Sequence, residues 1–440
     1  MMSLFAIGSV WAATVVGQSS PPELPKTLDL TAIRGLVVQH DGRWPPLDTA
    51  ARDVVRSVTG RSDFRDRDAV LWLLAWTFDP QVWVNEPVIT IRNAELRREL
   101  QLSPDKTVYS YAELSQHAPL RALFEALSRG ERGRKLNPLE SKASDINDKL
   151  MLLQSVFRGD AVKPIPDPKD PLGAWKPLAG ARRGDTSVSS EVSEAWAALD
   201  DAFRRDDATA FSAACDELLK ATAALPAAHR PAPTLLTTEL RYNQLAPFAM
   251  AWKLMLLAAV LAAASAIVRR RWFDGLALFG MIAGFAMLTY GLSLRWQIAG
   301  RIPASNMFES LLFLSWGMGA FAIVSVFLFR HRLVTLTASG MGAAALLLAG
   351  NLPLDSFIRP IAPVLLDTVW MSIHVPVIMV SYSVLALAVL IAHLQLVAMA
   401  AAPNRRDWSG WIDGLHYWYV HVGTILLSAG IITGSMWAAS

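Results

Sequence analysis

Beyond Leu245 the chain alternates long apolar runs with short charged breaks. Six runs can be read, at about 245–268, 273–294, 308–328, 334–352, 369–402 and 418–439. Each approaches or exceeds the ~20 apolar residues a helix needs to cross a bilayer. Only helices fit such runs, because the backbone groups must be satisfied within the segment. Before Leu245 the pattern is that of a mostly helical soluble domain. Residues 68–78 predict a compact apolar helix ended by Asp79-Pro80, and 144–157 and 190–223 carry helical periodicity, the last closed by Pro226. Val88-Ile89-Thr90-Ile91 predicts a short strand, and Pro164, Pro166, Pro168 and Pro171 mark an extended loop. The segment Gly42–Thr49 reads as a turn preceding a helix. The expected fold is therefore an all-α polytopic membrane protein of about six transmembrane helices, with a mostly helical N-terminal extracytoplasmic domain.

Charge sharpens this division. Of the 41 basic and 38 acidic residues, 62 precede Leu245 and 17 follow it. The net charge of +3, with no long Lys/Arg run, gives no reason to expect nucleic acid as a partner. The single cysteine, Cys215, excludes a disulfide framework, a CxxC redox pair and a thiolate zinc site. Residues 4–17 form an apolar run of signal-peptide length that lacks a positive n-region, so 1–19 is expected to be a signal peptide or N-terminal anchor. Loops after runs one, three and five hold Arg269, Arg270, Arg271, Arg330, Arg332, Arg405 and Arg406. The intervening loops hold Arg295, Arg301 and Arg359, partly offset by Asp355 and Asp367. The positive-inside bias then places the odd loops in the cytoplasm and residues 20–244 outside it.

Candidate chemistry is sparse. His40, His117 and His229 are isolated and read as structural. Asn306, Glu309, Phe313 and Trp316 share one helical face at the start of run three. An acid at a membrane helix end is costly unless it faces protein, water or a partner, so this is either a functional group or a helix cap with an interface anchor. In run five, His374 lies 31 residues before Arg405, ~46 Å of helix against a ~30 Å hydrocarbon layer, which sets it at or beyond the outer surface. Ser381 and Tyr382 fall on its face, with apolar and aromatic neighbours. Such a histidine is suited to axial haem ligation, although a structural role is the commoner fate of a lone histidine. His393 lies deeper, about 100° off that face. His416 and His421 precede or begin run six and read as interface residues.

RWQIAGRIPASNMFESLLFLSWG (295–317), TVWMSIHVPVIMVSY (368–382) and GLHYWYVHVGTILLSAGIITGSMWA (414–438) resemble, in order and spacing, the CcsA/ResC type of cytochrome c synthase, the membrane core of system II cytochrome c biogenesis. ELRYNQLAPF (239–248) and Gly42–Thr49 are similar to parts of extended synthases of this type. The resemblance implies a membrane domain over 245–440. It implies haem b held at the outer face by two external histidines beside a tryptophan-rich loop, for thioether attachment to the CxxCH cysteines of an apocytochrome c. His374 matches the first histidine, as axial ligand to the haem iron. Trp370, Asn306, Glu309 and Trp316 are expected to line or support the pocket. No residue is expected to act as a catalytic acid or base.

The tryptophan-rich signature expected after Ala438 is absent, because the sequence stops at Ser440. The expectation is a fragment, a split gene or a truncated frame, with the loop and second histidine carried by a separate segment. The lone chain would then be an incomplete part of a synthase. A CcsB/ResB-type subunit is an expected partner, and the bacterial cytoplasmic membrane the expected location. A small-molecule permease using Glu309 and His393, or a non-catalytic membrane scaffold, are the alternative functions.

Overall fold

The computed structural model describes residues 23–129, 137–167, 170, 173–179, 189–226, 230–268, 270–329, 331–361, 369–401 and 406–439. The expected leader at 1–19, His229, and the prolines at 168 and 171 lie outside the described residues. The chain divides into two units, one holding the chain up to Gln39 and Ala50–His229, the other His40–Thr49 and Arg230–Ser440.

The first unit is helical: α1 (Leu47–Thr59, which begins in the other unit's segment), α2 (Ala69–Phe78), α3 (Pro80–Trp83), α4 (Ala94–Glu99), α5 (Tyr111–Ser115), α6 (Ala118–Arg129), α7 (Pro138–Phe157), α8 (Ser190–Arg204) and α9 (Ala208–Ala224). Its centre is α2, in which all ten residues are buried and which is apolar on every face, as a helix enclosed by others must be. Asp68 caps it by accepting the Val70 N–H. Aromatic rings surround it: Trp72 packs 5.1 Å from Trp83, and Phe78 4.8 Å from Trp196. The strand expected at 88–91 is β1 (Pro87–Thr90), paired antiparallel with β2 (Val108–Ser110).

The single helix expected over 190–223 is instead two. Asp206 adopts a left-handed conformation (φ 51°), and its carboxylate accepts the backbone N–H groups of Lys26 and Thr27. Asp207 then caps α9 through the Thr209 and Ala210 N–H groups. Two adjacent aspartates that prefer turns and caps override the periodicity.

The second unit contains α10 (Pro233–Leu245), α11 (Pro247–Val268), α12 (Arg271–Ala299), α13 (Met307–Phe329), α14 (Arg332–Asn351), α15 (Val369–Ala401) and α16 (Arg406–Ala438). Ala246 (φ 44°) breaks α10 from α11, with Pro247 opening the next helix. Among the described residues six helices are long and apolar enough to cross a membrane, and they correspond to the six apolar runs. The protein is an integral membrane protein. Phe279, Phe327, Ile267 and Leu396 are among many large apolar side chains exposed on these helices, where lipid would cover them. In the first unit, by contrast, Val82 and Met151 are the only described large apolar side chains strongly exposed.

Two boundaries differ from the hydropathy reading. α12 runs to Ala299 and takes in Arg295, which the loop count had placed outside the helix. α16 begins at Arg406, so His416 and His421 stand inside a helix and not ahead of one. Mixed sequences such as Asp413-Gly414-Leu415-His416 carry too little hydropathy to register as a span, yet they continue the backbone ladder.

The sole cysteine is fully buried on α9, and burial pushes its thiol up to about 12. Cys215 therefore packs as a small apolar residue. Cys215 is expected to resist maleimide at pH 8 in the native protein and to react fully in denaturant, as read by intact-mass labelling.

Candidate functional site

The expected site residues lie on α13 and α15. Glu309 is fully buried in the first turn of α13. Its carboxylate accepts from Arg295 Nε (2.8 Å), from the Ser305 N–H (2.6 Å) and from the Ser305 hydroxyl (2.8 Å), with Arg301 Nη1 at 3.5 Å. Arg295 is equally buried. Its Nη1 donates to the Tyr242 hydroxyl (3.1 Å) and the Ser356 carbonyl (2.8 Å), and its Nη2 to the Phe357 carbonyl (3.2 Å). The guanidinium also lies 5.3 Å from the centre of the Phe308 ring. The pair is thus hydrogen-bonded on both sides, which is what a buried ion pair needs to offset its desolvation. Asn306 Oδ1 accepts the Glu309 N–H (2.9 Å), so Asn306 caps α13, and its Nδ2 donates to the Asp355 carbonyl (3.2 Å).

A second layer continues the network. Glu239, Tyr242 and Asn243 share one face of α10, at offsets of three and four. Glu239 is buried and takes Arg43 Nη2 at 2.6 Å and the Thr49 hydroxyl at 2.9 Å. Asn243 donates to Asp48 (3.0 Å) and Thr49 (2.8 Å). The segments 42–49 and 239–248, distant in sequence, are therefore one interlocked piece. The turn expected before α1 is present. His40 and Arg43 exchange backbone hydrogen bonds around Asp41 and Gly42, both at positive φ. Asp41 pairs with Arg359, and Gly42 approaches Pro360 so closely that a Cβ would stand 3.1 Å from its ring.

His374 sits on α15 against α16. Its Nδ1 lies 2.8 Å from the Gly430 carbonyl and 3.2 Å from Thr433 Oγ1. A carbonyl only accepts, so Nδ1 carries the proton and, in the neutral ring, Nε2 keeps its lone pair. Among the described residues nothing is hydrogen-bonded to Nε2. The ring rests on Gly434, where a Cβ would lie 2.7 Å from Cε1, and 5.9 Å from the Trp437 ring. Gly430 and Gly423 admit Ile378 and Leu385 in the same way, and Ser381 donates to the Gly423 carbonyl (2.9 Å). This glycine seam lets the two helix backbones approach closely. Tyr382 is turned outward. Pro376 removes one N–H from the α15 ladder two residues after His374.

Trp316 donates through Nε1 to Thr289 (3.1 Å) and packs against Phe285 and Phe313. Phe313, Trp316, Val375, Met379 and Trp437 share one apolar cluster with Leu354 and Ile361. Trp316 and Trp437, the ring beside His374, thus pack against the same core, whereas Glu309 and Asn306 face the charged network. Trp370, one turn before His374, is half-buried. His393 and His421 bond to carbonyls of their own helices, Val389 (2.7 Å) and Tyr417 (2.8 Å).

The sequence pattern required Glu309 to face protein, water or a partner, but did not identify Arg295, Glu239 or Arg43. The available signal was that an arginine and an acid stand fourteen residues apart across a short loop, in a stretch with few charges.

Residues 304–440 match the cytochrome C assembly protein family. The chain is similar to Protein NrfI of Wolinella succinogenes, 27% identical over 370 residues, covering 79% of this chain and 39% of that protein. It is also similar to cytochrome c biogenesis protein CcsA of Synechococcus sp. strain WH7803, 31% identical over 192 residues, covering 34% of this chain and 60% of that protein. The CcsA of Crocosphaera subtropica is 28% identical over 229 residues, covering 38% and 68%. The chain therefore spans 39% and 60% of the length of the first two relatives.

Glu309→Gln leaves the Arg295 charge uncompensated and is expected to destabilise the membrane unit by about 3–5 kcal/mol. Thermal denaturation in detergent checks this. Gly434→Val drives a side chain into the imidazole and is expected to cost about 1–3 kcal/mol in the same assay.

Proposed function

We propose that this chain, whose residues 304–440 are a cytochrome c assembly domain of the CcsA type, binds haem b through His374 and presents it for covalent attachment to an apocytochrome c. The observation that carries this reading is the His374 hydrogen bond. The Gly430 carbonyl fixes the Nδ1–H tautomer and orients the ring, which is how proteins prepare a histidine to ligate a metal through Nε2. Gly434 leaves the space in which the imidazole stands, and Trp437, Phe313 and Trp316 supply aromatic surface nearby. These residues fit a haem edge.

Haem, when bound, supplies vinyl groups to which apocytochrome thiols add as thioethers. The chain's own part is to hold and orient. His374 would be the axial ligand, Trp370 one turn away would flank it, and Trp316 would back the apolar wall. Asn306 and Glu309 would support the site indirectly, by fixing the start of α13. Cys215, buried with its thiol protonated, takes no part in thiol chemistry. The charge bias of the loops supports an outward-facing His374 end, with residues 20–244 extracytoplasmic and the protein in the bacterial cytoplasmic membrane. A CcsB/ResB-type subunit, and a segment carrying a tryptophan-rich loop and a second histidine, are the proposed partners in system II.

The test is the absorption spectrum of purified protein, co-expressed with a membrane segment that carries such a loop and histidine. The expected result is a Soret band that is lost or shifted in His374→Ala at equal protein yield. A wild type without haem, or a His374→Ala protein with an unchanged spectrum, would overturn the reading.

A further inference from the structure

Residues 352–361, which follow α14, lack regular structure, yet their backbone is held almost carbonyl by carbonyl. The Asp355 carbonyl accepts from Asn306, Ser356 and Phe357 from Arg295, and Arg359 from Arg301 Nη2 at 3.1 Å. All three donors belong to residues 295–306, and Arg295 and Arg301 both also contact Glu309. On its other side the same connection is tied by the Arg359 pairs with Asp41 and Asp355. Leu354 and Ile361 pack against the apolar core of Phe308, Leu312 and Phe313, against which Val375 and Met379 of α15 and Trp437 also pack, and the Trp437 ring lies 5.9 Å from that of His374.

We propose that Arg295, Arg301 and Asn306 are positioning residues: their template of donors fixes residues 354–361, and through Leu354 and Ile361 it sets the depth and tilt of the α15 end bearing His374. The physical argument is one of directionality. A guanidinium presents its donors in a rigid planar fork, so four bonds from one buried arginine specify the relative placement of α10, α12, α13 and the 354–361 connection far more tightly than apolar contact does. Lysine at 295 would keep the charge and the ion pair with Glu309 but could not span the Ser356 and Phe357 carbonyls and the Tyr242 hydroxyl together. The Ser356 and Phe357 carbonyls would then lose their shared donor, leaving the segment tied only at Asp355 and Arg359, with apolar contacts that tolerate sliding between. Pro376 removes one N–H from the α15 ladder just after His374, so the placement of that end depends on contacts outside the helix.

This inference rests on the haem-binding reading for one of its readouts and stands apart from it for the other. The experiment compares full-length wild type, Arg295→Lys and Asn306→Ala, each in a Cys215→Ala background carrying Ser372→Cys. Ser372 is exposed two residues before His374. Ser141→Cys, on the exposed surface of α7, is the control site. Variants are compared only as monodisperse protein; Asn306→Ala, which loses one carbonyl contact and a cap, serves if Arg295→Lys does not fold. The first readout is the rate of labelling by a membrane-impermeant maleimide. It is expected to change at least threefold at position 372 and to stay constant at 141. The second is the haem spectrum, expected to show altered axial ligation while His374→Ala loses it. A labelling rate unchanged at 372 in both variants overturns the positioning role, whether or not haem is bound. Changed labelling with no haem in the wild type upholds the positioning role and overturns the haem reading alone.

Discussion

A guanidinium and a carboxylate, both without solvent contact, meet where apolar helices end, and this constrains everything that meets there. Removing charges from water costs several kcal/mol per ion, so Arg295 and Glu309 persist only if each lone pair and each N–H finds a partner. The chain supplies them from many places: Tyr242 of α10, Ser305 and Arg301 of the α12–α13 link, and the carbonyls of Ser356 and Phe357. Each partner is fixed in return. A stretch with few charges thereby gains an architecture that hydrophobic burial alone would not specify, because lipid chains solvate apolar side chains as well as neighbouring helices do.

The opposite logic governs the α15–α16 contact. There the specificity comes from absence of side chains, with Gly423, Gly430 and Gly434 each admitting a residue of α15 into contact with backbone. His374 is one of those residues, and the close approach is what brings its Nδ1 to the Gly430 carbonyl. The two devices meet in the apolar cluster of Phe313, Trp316, Val375 and Trp437. One end of the bundle is therefore hydrogen-bonded on the charged side and closely packed along the glycine seam, where the imidazole stands.

Much of this was legible from residues. Runs near or above the ~20 apolar residues a span needs predict six spans because the backbone leaves no other solution in lipid, and six such helices are present among the described residues. The need for a partner at Glu309 was legible from the cost of a membrane acid. The identity of that partner was not, because Arg295 ends an apolar run and hydropathy alone assigns it to the loop. Asn306 illustrates an ambiguity of residue type: an asparagine before a helix caps it whether or not a ligand lies near, and here it does cap. The interlocking of 42–49 with 239–248 depends on long-range contacts between Arg43, Thr49 and Glu239, which no local pattern encodes. The break at Asp206 was legible in principle from the Asp206-Asp207 pair, and periodicity obscured it.

The central claim is that Arg295 and Glu309 act as one unit that organises the His374 end. A double-mutant cycle between Arg295→Met and Glu309→Leu, followed by reversible unfolding in mixed micelles, tests it most directly. The account predicts that each single change costs more than the double change, since either one alone strands a buried charge and the pair together removes both. Additive costs, with the double variant the least stable of the three, would contradict it.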